Sequence, residues 1–155
     1  THLPNRSLFW DRLDASIVRA RRLGKSVGLL VLDINGFNKI NQELGRTVGD
    51  KILAEAAMRV QSAARASDLI CRIGPDEFAV LLEDLEPQKS KEALERLAAS
   101  LIKKISDPWS ITPAVKSGSI SYGGAMHPQD GETSELLLAK ASEECKNHRQ
   151  SRTVQ

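Results

Sequence analysis

The segment that decides the fold reads Val27-Gly28-Leu29-Leu30-Val31-Leu32-Asp33-Ile34. Short continuous apolar runs of this kind are typical of β-strands that are buried on both faces. The next residues, Asn35-Gly36, have the chemistry of a turn, so we expect the strand to end there. The sequence therefore predicts a central buried strand that carries a carboxylate, that of Asp33, at its end.

Helical periodicity is present on both sides of this strand. We expect a first helix to begin after Asn5, which is an acceptable cap, and to end at Gly24. Four further helices are predicted, over residues 37–44, from near Gly49-Asp50 through Val60, from Ser90 to Asp107-Pro108, and from about residue 133 to 149.

Three more segments have the composition of strands, at residues 68–73, 78–83 and 117–122. Gly74-Pro75-Asp76-Glu77 separates the first two of them and predicts a β-hairpin. The element order is then α-β-α-α-β-β-α-β-α, which indicates an α+β fold with a central mixed or antiparallel β-sheet flanked by helices. The chain contains neither Gly-x-Gly-x-x-Gly nor Gly-x-x-x-x-Gly-Lys, which argues against a doubly wound nucleotide fold.

Composition limits the classes of function. The 155 residues suit one domain, and the net charge of +2 with 4% aromatic residues argues against a nucleic-acid partner. No apolar run approaches the ~18–20 residues of a membrane span, so we expect no membrane contact by this segment. Cys71 and Cys145 lie outside any metal-like spacing, which favours a reduced cytoplasmic compartment.

Carboxylates stand where two predicted strands end. If the hairpin lies beside the first strand, Asp33 meets Asp76 and Glu77 at one edge of the sheet. Carboxylates held together repel one another unless some are protonated or a cation joins them. Oxygen ligands favour hard ions such as Mg²⁺, which also binds substrate phosphates. The alternative is that these residues are ordinary turn residues.

Three segments together resemble the GGDEF family of diguanylate cyclases, and a fourth adds to the match. They are Thr1-His2-Leu3-Pro4-Asn5-Arg6; Asp33-Ile34-Asn35-Gly36-Phe37-Asn38-Lys39-Ile40-Asn41 with Gly45 and Gly49-Asp50; Arg72-Ile73-Gly74-Pro75-Asp76-Glu77-Phe78; and Ser119 to Gly124. The match covers nearly the whole chain in the right order. It implies a palm-like fold similar to nucleotidyl cyclases, in which two facing domains convert two GTP molecules into cyclic di-GMP and two pyrophosphates.

The resemblance also implies roles for individual residues. Asp33, Asp76 and Glu77, with the carbonyl of Ile34, would hold Mg²⁺ or Mn²⁺, and the same three carboxylates would be the catalytic groups. Substrate contacts are implied for the positions that match the family's nucleotide site, namely Gly36, Phe37, Asn38, Asn41, Asp50, Gly74 and Arg149. Asn41 and Asp50 match the positions that read guanine, whose donors an amide or a carboxylate can accept.

Each guanine position has a plainer interpretation. Asp50 can be a helix N-cap and Asn41 a solvated helix residue.

Arg65-Ala66-Ser67-Asp68 resembles the Arg-x-x-Asp of the family's inhibitory product site, where an Arg fork suits guanine or phosphate. The alternative for Arg65 and Asp68 is a surface salt bridge, which would contribute roughly 0–1 kcal/mol to stability.

The chain departs from the family pattern at three places. Pro75 replaces the second glycine of the central motif, which fixes φ and removes an N–H group. Asn38 stands where the family has a lysine placed to offset phosphate charge, and Lys39 is expected to point elsewhere on the helix. In the last helix Arg149 falls at the position of the family's lysine, but Thr153 falls where an arginine is expected.

These features leave two functions in view. The first is a diguanylate cyclase of reduced activity that works as a homodimer. The second is a degenerate domain that binds GTP or cyclic di-GMP and regulates a neighbouring domain. We expect residues 1–155 to form one domain excised from a longer bacterial signalling protein, with covalently linked sensory or phosphodiesterase domains. We also expect it to be cytoplasmic, alone or as part of a membrane-anchored sensor.

Overall fold

The computed structural model describes residues 6–110 and 118–153. Five helices are present in these residues: α1 (Arg6–Leu23), α2 (Phe37–Leu44), α3 (Arg46–Ala63), α4 (Ser90–Ile105) and α5 (Ser134–Thr153). Four strands form one sheet: β1 (Ser26–Ile34), β2 (Leu69–Arg72), β3 (Glu77–Leu85) and β4 (Ile120–His127). A short 3₁₀ turn, Pro87–Lys89, precedes α4. The order of elements agrees with the sequence prediction.

The sheet has the strand order β2-β3-β1-β4, and all three neighbouring pairs are antiparallel. Every residue of β1 is buried, as the continuous apolar run predicts. Helices α3 and α4 cover one face, where Leu30 and Leu32 point. Helices α1 and α5 cover the other face, where Leu29 and Val31 point. This is the predicted α+β, palm-like layout of a sheet between helical layers.

Helix α5 lies unusually close to β4 because β4 carries glycine at its centre. A Cβ atom on Gly123 would lie 2.2 Å from the carbonyl oxygen of Ala141 and 2.5 Å from the amide nitrogen of Cys145. Any larger residue would push α5 off the sheet. Thr133 caps α5 as predicted, since its hydroxyl accepts from the N–H of Leu136 at 3.2 Å.

Two predicted boundaries are wrong for the same reason, namely that glycine was taken as a break. Helix α3 begins at Arg46, so Gly49 and Asp50 lie inside it and the N-cap interpretation of Asp50 fails. The break is Gly45, which has φ +89°. Strand β4 starts at Ile120 and continues through Gly123-Gly124 to His127, beyond the predicted 117–122.

Other expectations fall outside the described residues. The capping role of Asn5 and the whole of Thr1-His2-Leu3-Pro4-Asn5 cannot be placed, and Ser117 belongs to the same group. One expectation within the described residues also needs correction: helix α5 ends at Thr153, four residues beyond the predicted end at residue 149. Among the described residues, no helix combines the length and the apolar character needed to cross a bilayer.

The side chain of Arg59 joins α3 to the end of α4. Its guanidinium donates to four backbone carbonyls, at 2.9 Å to Lys104, 3.3 Å to Ile105, 2.8 Å to Asp107 and 2.7 Å to Pro108. It also lies over the ring of Trp109, with Cζ 4.5 Å from the ring centroid. The charged fork thereby satisfies the carbonyls that a helix end leaves without partners.

We expect Arg59→Met to lower the free energy of unfolding by about 2–4 kcal/mol, because methionine keeps an apolar stem but leaves those carbonyls unpaired. Denaturant unfolding measures the change. Arg22→Met is a matched control, since Arg22 is an exposed arginine of α1. An equal and small loss in both variants would mean that the contacts at the end of α4 contribute nothing measurable.

Candidate functional site

The carboxylates predicted to converge do so at one end of the sheet. Strand β1 pairs with β3 so that Asp33 lies opposite Glu77. The N–H of Ile34 donates to the backbone oxygen of Asp76 at 3.1 Å, which ties the end of β1 to the hairpin tip. Asp33, Asp76 and Glu77 therefore belong to one small region although more than 40 residues separate Asp33 from the other two.

Asp33 is the buried member of this group. It is 4% exposed, and its Oδ2 accepts a hydrogen bond from Nη1 of Arg149 at 2.6 Å. Its Oδ1 is buried and has no hydrogen-bond partner among the described residues. Burial raises the pKa of Asp33 to about 6, the negative charges of Asp76 and Glu77 add to the shift, and Arg149 opposes it.

This arrangement fits a magnesium ion that completes its coordination with phosphate and water. Within residues 6–110 and 118–153, no three His, Cys, Asp or Glu side chains are grouped as a ready-made metal site. Magnesium commonly uses only one or two carboxylates and takes its remaining ligands from substrate phosphates and water. The unpartnered oxygen of Asp33, beside two further carboxylates, is a group that a cation would satisfy.

The hairpin tip tolerates the proline of the central motif. The N–H of Glu77 lies 3.5 Å from the carbonyl oxygen of Gly74, so Pro75 occupies the second position of a β-turn. Arg72 supports the loop, since its Nε donates to the Gly74 oxygen at 3.1 Å and its Nη2 to the Pro75 oxygen. Proline thus keeps the turn but removes one N–H that glycine would offer to a nucleotide.

The predicted guanine residues meet where α2 and α3 join. Oδ1 of Asn41 lies 1.7 Å from the position that a Cβ on Gly49 would occupy, so only glycine admits this side chain. The same Oδ1 is buried without a hydrogen-bond partner among the described residues, while Asp50, next along α3, is exposed. A buried acceptor beside an exposed carboxylate is suited to a ligand that carries several N–H donors.

The turn before α2 places the other predicted substrate residues. Gly36 adopts a left-handed conformation with φ +72°, and no side chain of the described residues caps the helix that follows. The ring of Phe37 is buried in the core, so only its backbone can contact a substrate. Asn38 is exposed, and Lys39 pairs with Glu43 at 3.9 Å on the solvent side of α2. Lys39 therefore does not replace the missing lysine at position 38.

Arg65 and Asp68 form a close ion pair. Nε and Nη2 of Arg65 lie 3.1 and 2.9 Å from Oδ1 of Asp68, and Oδ2 of Asp68 accepts from the backbone N–H of Arg65 at 2.8 Å. Two cavities of about 330 and 300 Å³ flank the pair, and Arg65 and Arg96 line both. Sequence reasoning missed Arg96, because it lies on α4 and only the fold brings it near.

The whole chain, residues 1–155, matches the family model described as "Diguanylate cyclase, GGDEF domain". This chain belongs to the GGDEF family. The resemblance deduced from the motifs is therefore confirmed. Among solved structures, the GGDEF domain of TpbB (YfiN) from Pseudomonas aeruginosa superposes with a TM-score of 0.91 at 32% identity, covering 97% of this chain and 92% of that one.

Curated relatives of this GGDEF domain are longer proteins. It is 39% identical over 141 residues to the bifunctional diguanylate cyclase/cyclic di-GMP phosphodiesterase MucR of Pseudomonas aeruginosa, covering 91% of this chain and 20% of MucR. It is 34% identical over 145 residues to the response regulator PleD of Caulobacter vibrioides, covering 92% of this chain and 31% of PleD. The domain thus spans a fifth to a third of the length of these relatives.

Proposed function

We propose that this GGDEF domain condenses two GTP molecules into cyclic di-GMP and two pyrophosphates across a homodimer, with reduced activity. The observation that carries the proposal is the convergence of Asp33, Asp76 and Glu77, with one buried oxygen of Asp33 that has no partner in the described part of the chain. The relatives MucR and TpbB, which are named as diguanylate cyclases, support it. Each domain would hold one GTP, so two domains must face each other.

The domain's own groups then have defined tasks. Asp33, Asp76 and the carbonyl of Ile34 would hold Mg²⁺ or Mn²⁺, with Glu77 as a further ligand or beside the attacking 3′-hydroxyl. When bound there, the metal supplies Lewis acidity and charge neutralisation at the phosphates. Asn41 and Asp50 would accept from guanine. The 3′-hydroxyl of each GTP gives up its proton to water, and its oxygen forms a bond to the α-phosphorus of the other GTP as the bond to pyrophosphate breaks. Two such steps close the ring and release two pyrophosphates.

Three features support the reduced activity. Asn38 brings no charge to the phosphates, and Pro75 brings no N–H to the hairpin loop. Arg149, which matches a phosphate-binding position, is paired with Asp33 at 2.6 Å. This ion pair already engages one N–H donor and part of the charge of Arg149, so less of both is left for a triphosphate.

A second candidate function is a regulatory module that binds GTP or cyclic di-GMP without turning it over. The cavity lined by Arg65, Asp68 and Arg96 favours it, because two guanidinium groups can serve both phosphate and guanine, and Asp68 holds that of Arg65 in place. In this case the domain would act on covalently linked sensory or phosphodiesterase domains. We place either form in the bacterial cytoplasm, free or attached to a membrane-anchored sensor.

Incubation of the purified domain at high concentration with GTP and Mg²⁺, followed by chromatography, separates the two candidates. Cyclic di-GMP that is formed by the native domain and absent with Asp76→Ala would establish the cyclase. Binding of GTP or cyclic di-GMP without any product would support the regulatory module. If the domain binds neither nucleotide and forms no product, both functions are excluded.

We expect Arg65→Ala to weaken cyclic di-GMP binding at least tenfold and to leave GTP binding unchanged, because a forked charged donor is lost from the two cavities that Arg65 lines and not from the proposed GTP site. Titration calorimetry measures both affinities. Arg22→Ala on α1, outside both cavities, is the control. Unchanged product affinity in Arg65→Ala would reduce the Arg65–Asp68 pair to a surface salt bridge.

A further inference from the structure

The turn that follows Asp33 is fixed from β4 by the side chain of Asn35. Oδ1 of Asn35 accepts from the hydroxyl of Ser121 at 2.8 Å, and its Nδ2 donates to the hydroxyl of Ser119 at 3.0 Å. The backbone N–H of Asn35 also donates to the carbonyl of Ser119 at 2.9 Å. One amide side chain thus uses both ends on two serines that lie more than 80 residues away in sequence.

Ser121 is the direct neighbour of Asp33 in the sheet. The two residues are paired in the register of β1 and β4, so their side chains leave the same face. Directly opposed residues have Cβ atoms about 4.5–5.5 Å apart, which brings a serine hydroxyl within reach of a carboxylate. Ser121 is fully buried, and its hydroxyl donates to Asn35 rather than to Asp33.

A serine hydroxyl has one proton to donate. That of Ser121 goes to Asn35, and Oδ1 of Asp33 has no hydrogen-bond partner among residues 6–110 and 118–153. A buried carboxylate oxygen without a donor is costly, and proteins retain such groups where a ligand satisfies them. The bridge from Asn35 to Ser121 thus engages a donor that the register places beside Asp33.

We propose that Asn35 is a positioning residue that holds the Ser121 hydroxyl away from Asp33, so that Oδ1 of Asp33 stays available to a divalent cation. The inference rests on the proposed nucleotide site. Asn35 does not touch the cation or the substrate; it acts on them through Ser121 and through the turn that carries the Ile34 carbonyl. Residues that orient metal ligands in this way typically change affinity 10–100-fold when they are replaced.

The test is Mg²⁺-dependent GTP binding by calorimetry, with denaturant unfolding of each nucleotide-free variant. In Asn35→Ala the freed hydroxyl of Ser121 can donate to Asp33, and we expect binding to weaken ~10–100-fold. In Ser121→Ala no hydroxyl competes, and affinity stays within about threefold of native. The double variant Asn35→Ala/Ser121→Ala then binds at least about threefold more tightly than Asn35→Ala, although it has lost more hydrogen bonds.

Two further variants separate positioning from stability. Asn35→Asp keeps an acceptor for Ser121 and adds negative charge near Asp33, so its affinity is expected to be no lower than native. Ser16 is a matched control, because its buried hydroxyl donates to Oε2 of Glu83 at 2.6 Å, and Glu83 lies at the far end of β3 from Glu77. Ser16→Ala should lower the free energy of unfolding without changing the affinity for Mg²⁺-GTP.

A double variant that binds no better than Asn35→Ala overturns the inference, as does native affinity in Asn35→Ala. If Asn35→Ala does not fold, the affinity of Ser121→Ala for Mg²⁺-GTP is the test. A tenfold loss of affinity in Ser121→Ala would mean that the Ser121 hydroxyl itself is needed for binding, and would overturn the inference. Absence of Mg²⁺-dependent GTP binding in the native chain would instead overturn the proposed function, and this inference with it.

Discussion

Asp33→Asn is expected to abolish Mg²⁺-dependent GTP binding and also to stabilise the nucleotide-free domain. The pKa of Asp33 lies near 6 in the folded protein and near 3.8 when the chain is unfolded. Between these pH values the folded state binds a proton that the unfolded state does not, so stability falls as the pH rises through this window. At pH 7 the charged carboxylate then costs about 2–3 kcal/mol, which asparagine removes.

Thermal unfolding with and without Mg²⁺-GTP measures both effects. The stabilisation should be nearly complete at pH 7, shrink as the pH falls through 6, and vanish only below about pH 3.8, where Asp33 is protonated in both the folded and the unfolded state. Asp11→Asn, an exposed residue of α1, is the matched control and should show neither effect. A variant that is less stable than native at pH 7 would mean that the Arg149 ion pair outweighs burial and the neighbouring carboxylates.

Local signals predicted the frame of the site well. Strand β1 could be identified because nine consecutive positions are buried, and a continuous apolar run shows this directly. The convergence of Asp33 with Asp76 and Glu77 followed from one assumption, that the hairpin lies beside β1, and the register confirms it. In both cases the evidence lies within a few residues of the group concerned.

Features that depend on distant packing could not be predicted in the same way. Gly49 suggested a helix start, yet it is glycine because the Asn41 side chain fills the place of its Cβ. Gly123 suggested a strand end, yet it is glycine because α5 lies against it. The pairing of Arg149 with Asp33 joins residues more than 100 positions apart, and no local pattern indicates it.

The carboxylate end of the sheet therefore holds a balance of charges that the sequence alone did not show. Burial and the negative charges of Asp76 and Glu77 make the ionised form of Asp33 costly, and one guanidinium, that of Arg149, offsets part of this cost while no nucleotide is bound. An incoming triphosphate brings further negative charge to the same place. In the described part of the chain, this end of the sheet therefore lacks a positively charged side chain that can stay beside the phosphates while Arg149 is paired with Asp33.

Asn38→Lys is expected to raise the rate of cyclic di-GMP formation by ~10²–10³, the size of effect seen when a preorganised electrostatic group is restored. Asn38 is exposed in the first turn of α2, just after the turn that carries the Ile34 carbonyl, so a lysine there costs the fold little. Its ammonium would balance phosphate charge without displacing Arg149 from Asp33. Single-turnover product formation at saturating GTP and Mg²⁺ isolates the chemical step.

Gln42→Lys is the matched control for this gain, because it adds the same charge at an exposed site one helical turn farther from the carboxylates. A gain confined to Asn38→Lys shows that the position of the charge limits the native rate. An equal gain in both variants would attribute the effect to the added positive charge in general and not to its position, and the gain should then disappear at high salt. No gain in either variant would indicate that Pro75 limits the rate of cyclic di-GMP formation, because a lysine on α2 cannot replace the N–H group that proline lacks.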